Sequence, residues 1–276
     1  MNQDQAGSVH SIGFAAWEES LGPLLTATGL AGQLPGTTGT ILIKPNLVEA
    51  LAPPVTTPVA LVAALVAWLR EHTNARVVIG EGSGAIHHDT NHAFAELGYL
   101  DLARDYGVEL ADLNHEELVR LEKRECQRWP EMYLPRLALD SFLISVPVLK
   151  AHSMAGVTLT LKNMMGLAPP AHYRNGRSWQ KSAFHRRIQE AIADLNRYRA
   201  PDFTVLDATV GMPEAHLWGP VCNPPVGILA AGFDPVAMDA YGCSLLRRDW
   251  RHIGHIRALH GELGQAEPLR VIPVSL

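Results

Sequence analysis

Apolar residues in this chain come in short blocks separated by polar, Pro-rich and Gly-rich stretches. The spacing within each block decides what it forms. Residues 40–43 are β-branched and apolar, the pattern of a buried strand, and the block stops at Lys44-Pro45-Asn46. Residues 52–58 are rich in Pro and Thr and read as a loop. Thr57 then reads as the cap of a helix with Pro58 at its first position, running to about His72. Residues 76–79 form the next strand pattern, ending in Gly80-Glu81-Gly82-Ser83-Gly84. Strand, loop, helix and strand in that order predict a parallel βαβ unit.

The same reading extends over the rest of the chain. Helices are expected over 15–30 and around 91–106, and short strands over 108–110 and 118–122. Residues 124–136 are polar with two prolines and read as an excursion. A central strand covers 141–146 and stops at Pro147. Helical periodicity over 157–165 stops at Gly166, and a Pro/Gly loop follows over 168–177. An amphipathic helix over 182–199 precedes strands at 203–207 and 227–231. Asp234-Pro235 opens a helix to about residue 246, with a last helix over 253–263 and a closing strand over 269–273. The implied fold class is α/β, a largely parallel or mixed central sheet with helices on both faces. It forms a single domain over 1–276 with its core at about 40–263, either one body or two lobes around a cleft.

Composition removes several functions. The chain has 276 residues, 47% of them hydrophobic, and a formal net charge of −5. An acidic balance argues against a general nucleic-acid partner. Cys126, Cys222 and Cys243 lie far apart with no C-x-x-C pair, so no iron–sulfur cluster and no disulfide scaffold are expected. The longest apolar run, 59–69, is 11 residues, and a membrane span needs about 20. The first residues lack the pattern of a secretion signal. The expectation is a soluble cytoplasmic protein with no membrane partner, and a homodimer stays open.

One segment breaks the acidic pattern. Residues 150–187 hold seven Lys/Arg and three His and no Asp or Glu. Unpaired cations converging on a cleft attract carboxylate or phosphate. Lys150, His152, Lys162 and Asn163 flank a small, apolar stretch that implies burial, and a buried lysine has a lowered pKa suited to proton transfer. His172, Arg174, Arg177, Lys181, His185, Arg186 and Arg187 read as a basic cover that delivers His185. Other polar residues stand at strand ends, where open α/β sheets bind ligands. They are Lys44, Asn46, Glu81, Ser83 and Asp207, with Asp239 one turn into a helix. His88 and His92, four apart, have metal-ligand spacing on a helix face.

These pieces also resemble a family. IKPNL (43–47), VVIGEGSG (77–84), LISVPVLKAHSMAGVTLTLKNMMG (143–166), VLDAT (205–209) and ILAAGFDPVAMDA (228–240) are similar to the proteins grouped as domain of unknown function 362. Many members carry a ferredoxin-like module with C-x-x-C repeats, which this chain lacks. A more distant likeness joins His152, Ala155-Gly156, Lys162 and Met165-Gly166 to the nickel-pincer lactate racemases. There the matching histidine is an acid/base and the lysine holds the cofactor. That likeness implies a shared fold and pocket location.

The functional expectation is an enzyme acting on a small carboxylate- or phosphate-bearing molecule by His/Lys acid–base chemistry. It would be isomerase- or racemase-like, or associated with an oxidoreductase. His152, Lys162, Lys150 and His185 are its expected catalytic residues. Lys44, Asn46, Asn163, Glu81, Ser83, Asp207, Asp239 and Arg174 are its expected binding residues. A variant uses a transition metal, nickel or zinc, on His152, His185 and His88, with His172 as a further donor. The alternative is a non-catalytic protein that binds an anionic cofactor or metal.

Overall fold

The computed structural model describes residues 5–176 and 179–276. The strands in chain order are β1 (Ser8–Gly13), β2 (Thr40–Pro45), β3 (Arg76–Glu81), β4 (Glu109–Asp112), β5 (Leu118–Glu122), β6 (Glu131–Pro135), β7 (Phe142–Val146), β8 (Val148–His152), β9 (Gly156–Thr158), β10 (Phe203–Met212), β11 (Ile228–Gly232) and β12 (Arg270–Pro273). The helices are α1 (Trp17–Thr28), α2 (Val59–His72), α3 (Thr90–Glu96), α4 (Tyr99–Tyr106), α5 (Arg136–Asp140), α6 (Thr160–Asn163), α7 (Pro170–Tyr173), α8 (Ile188–Tyr198), α9 (Pro235–Leu245) and α10 (Gly254–Leu259).

Ten of these strands form one mixed sheet in the order β12-β1-β11-β10-β7-β2-β3-β4, with β8 paired to β10 and β9 to β8. The run β10-β7-β2-β3-β4 is parallel throughout. Strand β11 runs antiparallel to both β1 and β10. The predicted βαβ unit is β2-α2-β3, in register from Thr40↔Arg76 to Ile43↔Ile79. Its strands are apolar on both sides because helices cover both faces. Ile41, Ile43, Ile79 and Ile144 pack with α1–α4, while Leu42, Val78 and Leu143 pack with α6 and α8–α10. Among the described residues, no helix is long and apolar enough to cross a membrane.

Several expectations change. Strand β1, unread in the sequence, pairs with β11 and β12 and buries Val9 and Ile12 in the two different core layers. Pro147 ends the central strand β7 as the sequence indicates, and the chain continues past it into a further strand, β8, along β10. The helix expected over 157–165 is a short antiparallel turn, β8–β9, followed by α6 and a tight turn over 164–167. Residues 124–136 contain β6, which forms a hairpin with β5. The single helix over 182–199 is a turn at 182–185 and then α8, broken where Arg187 takes φ 56°. Thr57 does not cap α2. Its hydroxyl donates to Val146 O at 2.7 Å and accepts from Asn46 N at 2.8 Å, tying the loop to the ends of β7 and β2.

Asp234 is the helix cap that the sequence indicates, and it does more. Its Oδ1 accepts from Val236 N and Ala237 N, and its Oδ2 accepts from Gly7 N and Gln265 N, all within 2.9 Å. One fully buried carboxylate thus joins α9 to both chain-terminal segments. Asp234→Ala strands four buried N–H groups and is expected to cost about 3 kcal/mol or more in urea unfolding. A loss below about 1 kcal/mol contradicts this role.

Candidate functional site

The carboxyl ends of β2, β3 and β8, the start of α6 and the loop after β10 surround one cavity of about 580 Å³. A ligand is expected at this end of an α/β sheet. Its wall carries Lys150, Lys162 and Lys181 together with His152, His185 and His216. Asn46, Glu81, Thr158 and Asn163 lie beneath or between them.

A buried polar network builds the floor. Glu81 Oε1 accepts from Lys44 Nζ at 2.6 Å and from Gly82 N at 2.8 Å, and its Oε2 accepts from Leu47 N at 2.9 Å. Asn163 Oδ1 accepts from Lys44 Nζ and from Asn46 Nδ2, while its Nδ2 donates to Lys44 O and Ser145 Oγ. Asn46 Oδ1 in turn accepts from Lys150 Nζ at 2.7 Å. Gly166 is required beside this network, because a side chain there would collide with Glu81 Oε1 and Lys44 Nζ. Gly82 is similar, facing Gly166 O and Asn114 Oδ1. Asp239, buried on α9, accepts from Thr160 N at 2.7 Å and Leu161 N at 3.2 Å, which holds the turn that carries Lys162 and Asn163.

The lysines fall into three situations. Lys44 is spent on Glu81; burial lowers its pKa and the carboxylate raises it back. Lys150 and Lys181 are fixed by neutral oxygens: Lys150 by Asn46 Oδ1 and Val55 O, Lys181 by Asn114 Oδ1 at 2.6 Å and by Ala168 O. Burial pushes each down to about 7, and the neighbouring Lys162 adds to this for Lys150. Lys162 makes no hydrogen bond or ion pair among the described residues, and burial pushes it down to about 8. Carbonyl and amide oxygens stabilise an ammonium far less than a carboxylate does. Three lysines therefore face the cavity with no anion of their own.

The histidines are held as neutral rings. His152 Nδ1 accepts from Met154 N and Ala155 N, both at 3.1 Å, so its proton must sit on Nε2. Burial, then Lys162 and His216, hold its pKa far below the usual imidazole range. This corrects the expectation of a two-way acid/base. His152 is a fixed donor, because a lone pair on Nε2 would require a proton facing two N–H groups. His216 stacks on it with ring centroids 4.1 Å apart, and burial with Lys162 and Lys150 lowers His216 to about 3. His185 is lowered by burial and by Lys162. Thr158 Oγ1 is buried on the cavity wall with no partner among the described residues.

Of the residues singled out in the sequence, Lys150, His152, Lys162, Asn163, His185, Asn46 and Glu81 meet at this cavity. Others do not reach its wall. Lys44 lies beneath it on Glu81. Ser83 Oγ donates to Val48 O. Asp207 turns back on Thr209 N and Oγ1. Asp239 holds α6, and Arg174 reaches Gln180 on the exterior. Arg177 lies outside the described residues.

The proposed metal donors do not converge. His88 pairs with Glu49 at 2.7 Å and lies tilted against His92, and is not itself part of the cavity wall. His172 stacks on Tyr133. His152 has Nδ1 occupied by two backbone N–H groups and its proton on Nε2, so it offers no free lone pair to a metal. Among the described residues no three His, Cys, Asp or Glu side chains form a metal-binding group. Nickel or zinc does not fit this donor set, and no step is routed through one.

Sequence reading missed His216, Glu49 and Trp218, and placed Lys181 only in a basic cover, whereas all four line the cavity. The signal for His216 and Trp218 was a Pro/Gly-rich stretch between two strands, carrying a histidine and a tryptophan at the ligand-binding end of the sheet.

The model of the family described as "Domain of unknown function (DUF362)" matches residues 41–244. Thylakoid-associated protein sll1697 of Synechocystis sp. is 26% identical over 246 residues, which is 83% of this chain and 70% of that protein. No solved structure matches.

Lysines with depressed pKa values give stability a definite pH dependence. Between about pH 7 and 10 the unfolded chain holds protons on Lys150, Lys162 and Lys181 that the folded chain has lost. More protons on the unfolded state means that stability rises with pH. The thermal midpoint of ligand-free protein is expected to climb from pH 7 to pH 9, with a shallower climb in Lys162→Met. A midpoint that falls over this range contradicts the assignment.

Proposed function

The chain belongs to this family, and on that footing we propose that it is an enzyme acting on a small molecule bearing a carboxylate or phosphate, by lysine acid–base chemistry with a histidine as hydrogen-bond donor. The observation that carries the reading is the charge balance of the cavity. Lys150, Lys162 and Lys181 are enclosed, and the buried carboxylate beside them, Glu81, is already paired with Lys44. A buried charge is costly unless it is paired. An anionic ligand supplies that pairing.

The residues divide by how they are held. Lys150 and Lys181 are tethered by neutral oxygens and serve as fixed cationic anchors for the anionic group. The unpartnered Thr158 hydroxyl adds a donor on the same wall. His152 presents Nε2–H and can polarise an oxygen of the reacting group without giving up its proton. Lys162 is untethered and has a pKa near 8, so it can take a proton from substrate and return it close to neutral pH. Asp239 and Asn163 act by position, holding the turn that bears Lys162.

A carrier without chemistry would use the same anchors. Lys162 favours catalysis, since a pure anchor gains from being tethered and this amine is not.

The test has two parts. Binding of oxalate or inorganic phosphate is read by calorimetry. Proton transfer is read by incubating 2-hydroxy and 2-oxo carboxylates with the protein in D₂O and following deuterium at the carbon next to the carboxylate. Lys162→Met is expected to abolish exchange and weaken oxalate binding by about tenfold, the scale of one lost charge-assisted hydrogen bond. His152→Ala is expected to abolish exchange with a smaller loss of binding. Exchange and binding unchanged in the double variant overturn the reading.

A further inference from the structure

Large apolar side chains on a soluble surface are normally scattered singly. Here they gather. Met154 is 52% exposed, Trp179 40% and Trp218 72%, and all three line the one cationic cavity. They come from separate segments: Met154 from the turn between β8 and β9, Trp179 from the stretch before α8, and Trp218 from the loop between β10 and β11. Leu217 and Met165, both buried, continue the apolar wall inward toward the lysines. The stacked pair His152–His216 adds a flat face to the same cavity. The cavity is therefore cationic on one side of its interior and apolar and aromatic toward its mouth.

Its size carries the same message. Cavities that enclose a drug-sized ligand fall at about 300–1,000 Å³. At about 580 Å³ this one is far larger than a bare phosphate or a three-carbon acid needs. Three lysines account for the anionic end of a ligand and leave most of the wall without a partner. Tryptophan offers a rigid face for a flat apolar group, and exposed aromatics gain most when such a group covers them.

We infer that the ligand is an aryl or similarly flat apolar acid, with its carboxylate or phosphate held by Lys150, Lys162 and Lys181 and its apolar body clasped between Trp179 and Trp218. This rests on the anionic-ligand reading above and adds the class of molecule. Short aliphatic acids are poor ligands on this account, because they leave the rim open to water. Trp179 and Trp218 are specificity-determining residues, outside the proton-transfer machinery.

Matched pairs of probes separate the head from the body. Calorimetry compares inorganic phosphate with phenyl phosphate, and acetate with indole-3-acetate, on the wild type and on Trp218→Ala and Trp179→Ala. Both tryptophans are exposed at the rim, so neither change disturbs the core. The aryl member of each pair is expected to bind at least about tenfold tighter than its bare head. Each alanine variant is expected to remove most of that gain and leave the affinity for inorganic phosphate unchanged. Equal affinity for aryl and bare anions, with phosphate still bound and lost in Lys162→Met, overturns the aryl class while the anion site stands. No binding of any of the four probes overturns both. Binding to vesicles of anionic lipid that the two tryptophan variants abolish, with no gain for soluble aryl anions, assigns the rim to a lipid surface and also overturns it.

Discussion

Glu81 accepts from Lys44, Gly82 and Leu47, and through these three bonds it fixes the ends of β2 and β3 against each other. It is also the carboxylate to which the fully buried Lys44 is committed. Everything above it follows from that allocation. With Glu81 satisfied by Lys44 and two backbone N–H groups, the second layer of lysines has only neutral oxygens to lean on. Asn46 and Asn163 transmit the arrangement from one layer to the next, since each side chain is both donor and acceptor within the network. An amide pair suits this role because it satisfies ammonium groups without neutralising them.

The result is a cavity with a stored electrostatic deficit. Burial pushes each lysine toward the neutral amine, and Lys162 pushes Lys150 further the same way. An incoming carboxylate or phosphate reverses both effects by supplying the missing charge. The histidines experience the same field, which is why they are neutral and why His152, locked by two backbone donors, serves as a donor only. Close packing maintains the deficit. Gly166 and Gly82 let backbone pass where a side chain would separate Glu81 from Lys44 or Lys181 from Asn114.

The sequence made much of this legible, for identifiable reasons. The βαβ unit was readable because parallel strands buried on both faces are continuous apolar runs, as in Ile41-Leu42-Ile43, and α2 is long and bounded by Pro58 and Thr73. The cationic segment was readable because thirty-odd residues without a carboxylate are unusual in an acidic chain. The local form of 148–167 was not readable. A strand, a turn at Gly156 with φ 83°, a second strand and a four-residue helix mimic one helical period when their apolar residues all face a core. Contacts between distant residues were also hidden. Nothing local says that Ser83 reaches to Val48, that Asp207 turns back on Thr209, or that Asp239 reaches across to cap α6. His216 escaped notice because its partner, His152, lies 64 positions away and the two meet only through the β8–β10 pairing. His88 carried a spacing signal that the fold used differently, on Glu49 and His92.

The account's central claim is that three lysines wait partly neutral for an anion. Calorimetric titration of oxalate at pH 8, repeated in Tris and in HEPES, measures it directly, because the two buffers release protons with different heats. An anion that restores charge to the tethered anchors Lys150 and Lys181 must draw protons from the buffer. The account predicts a net uptake of protons on binding, smaller in Lys162→Met and smaller again at pH 6, where the lysines already hold theirs. Binding with identical heats in both buffers at pH 8, or with proton release, would contradict it.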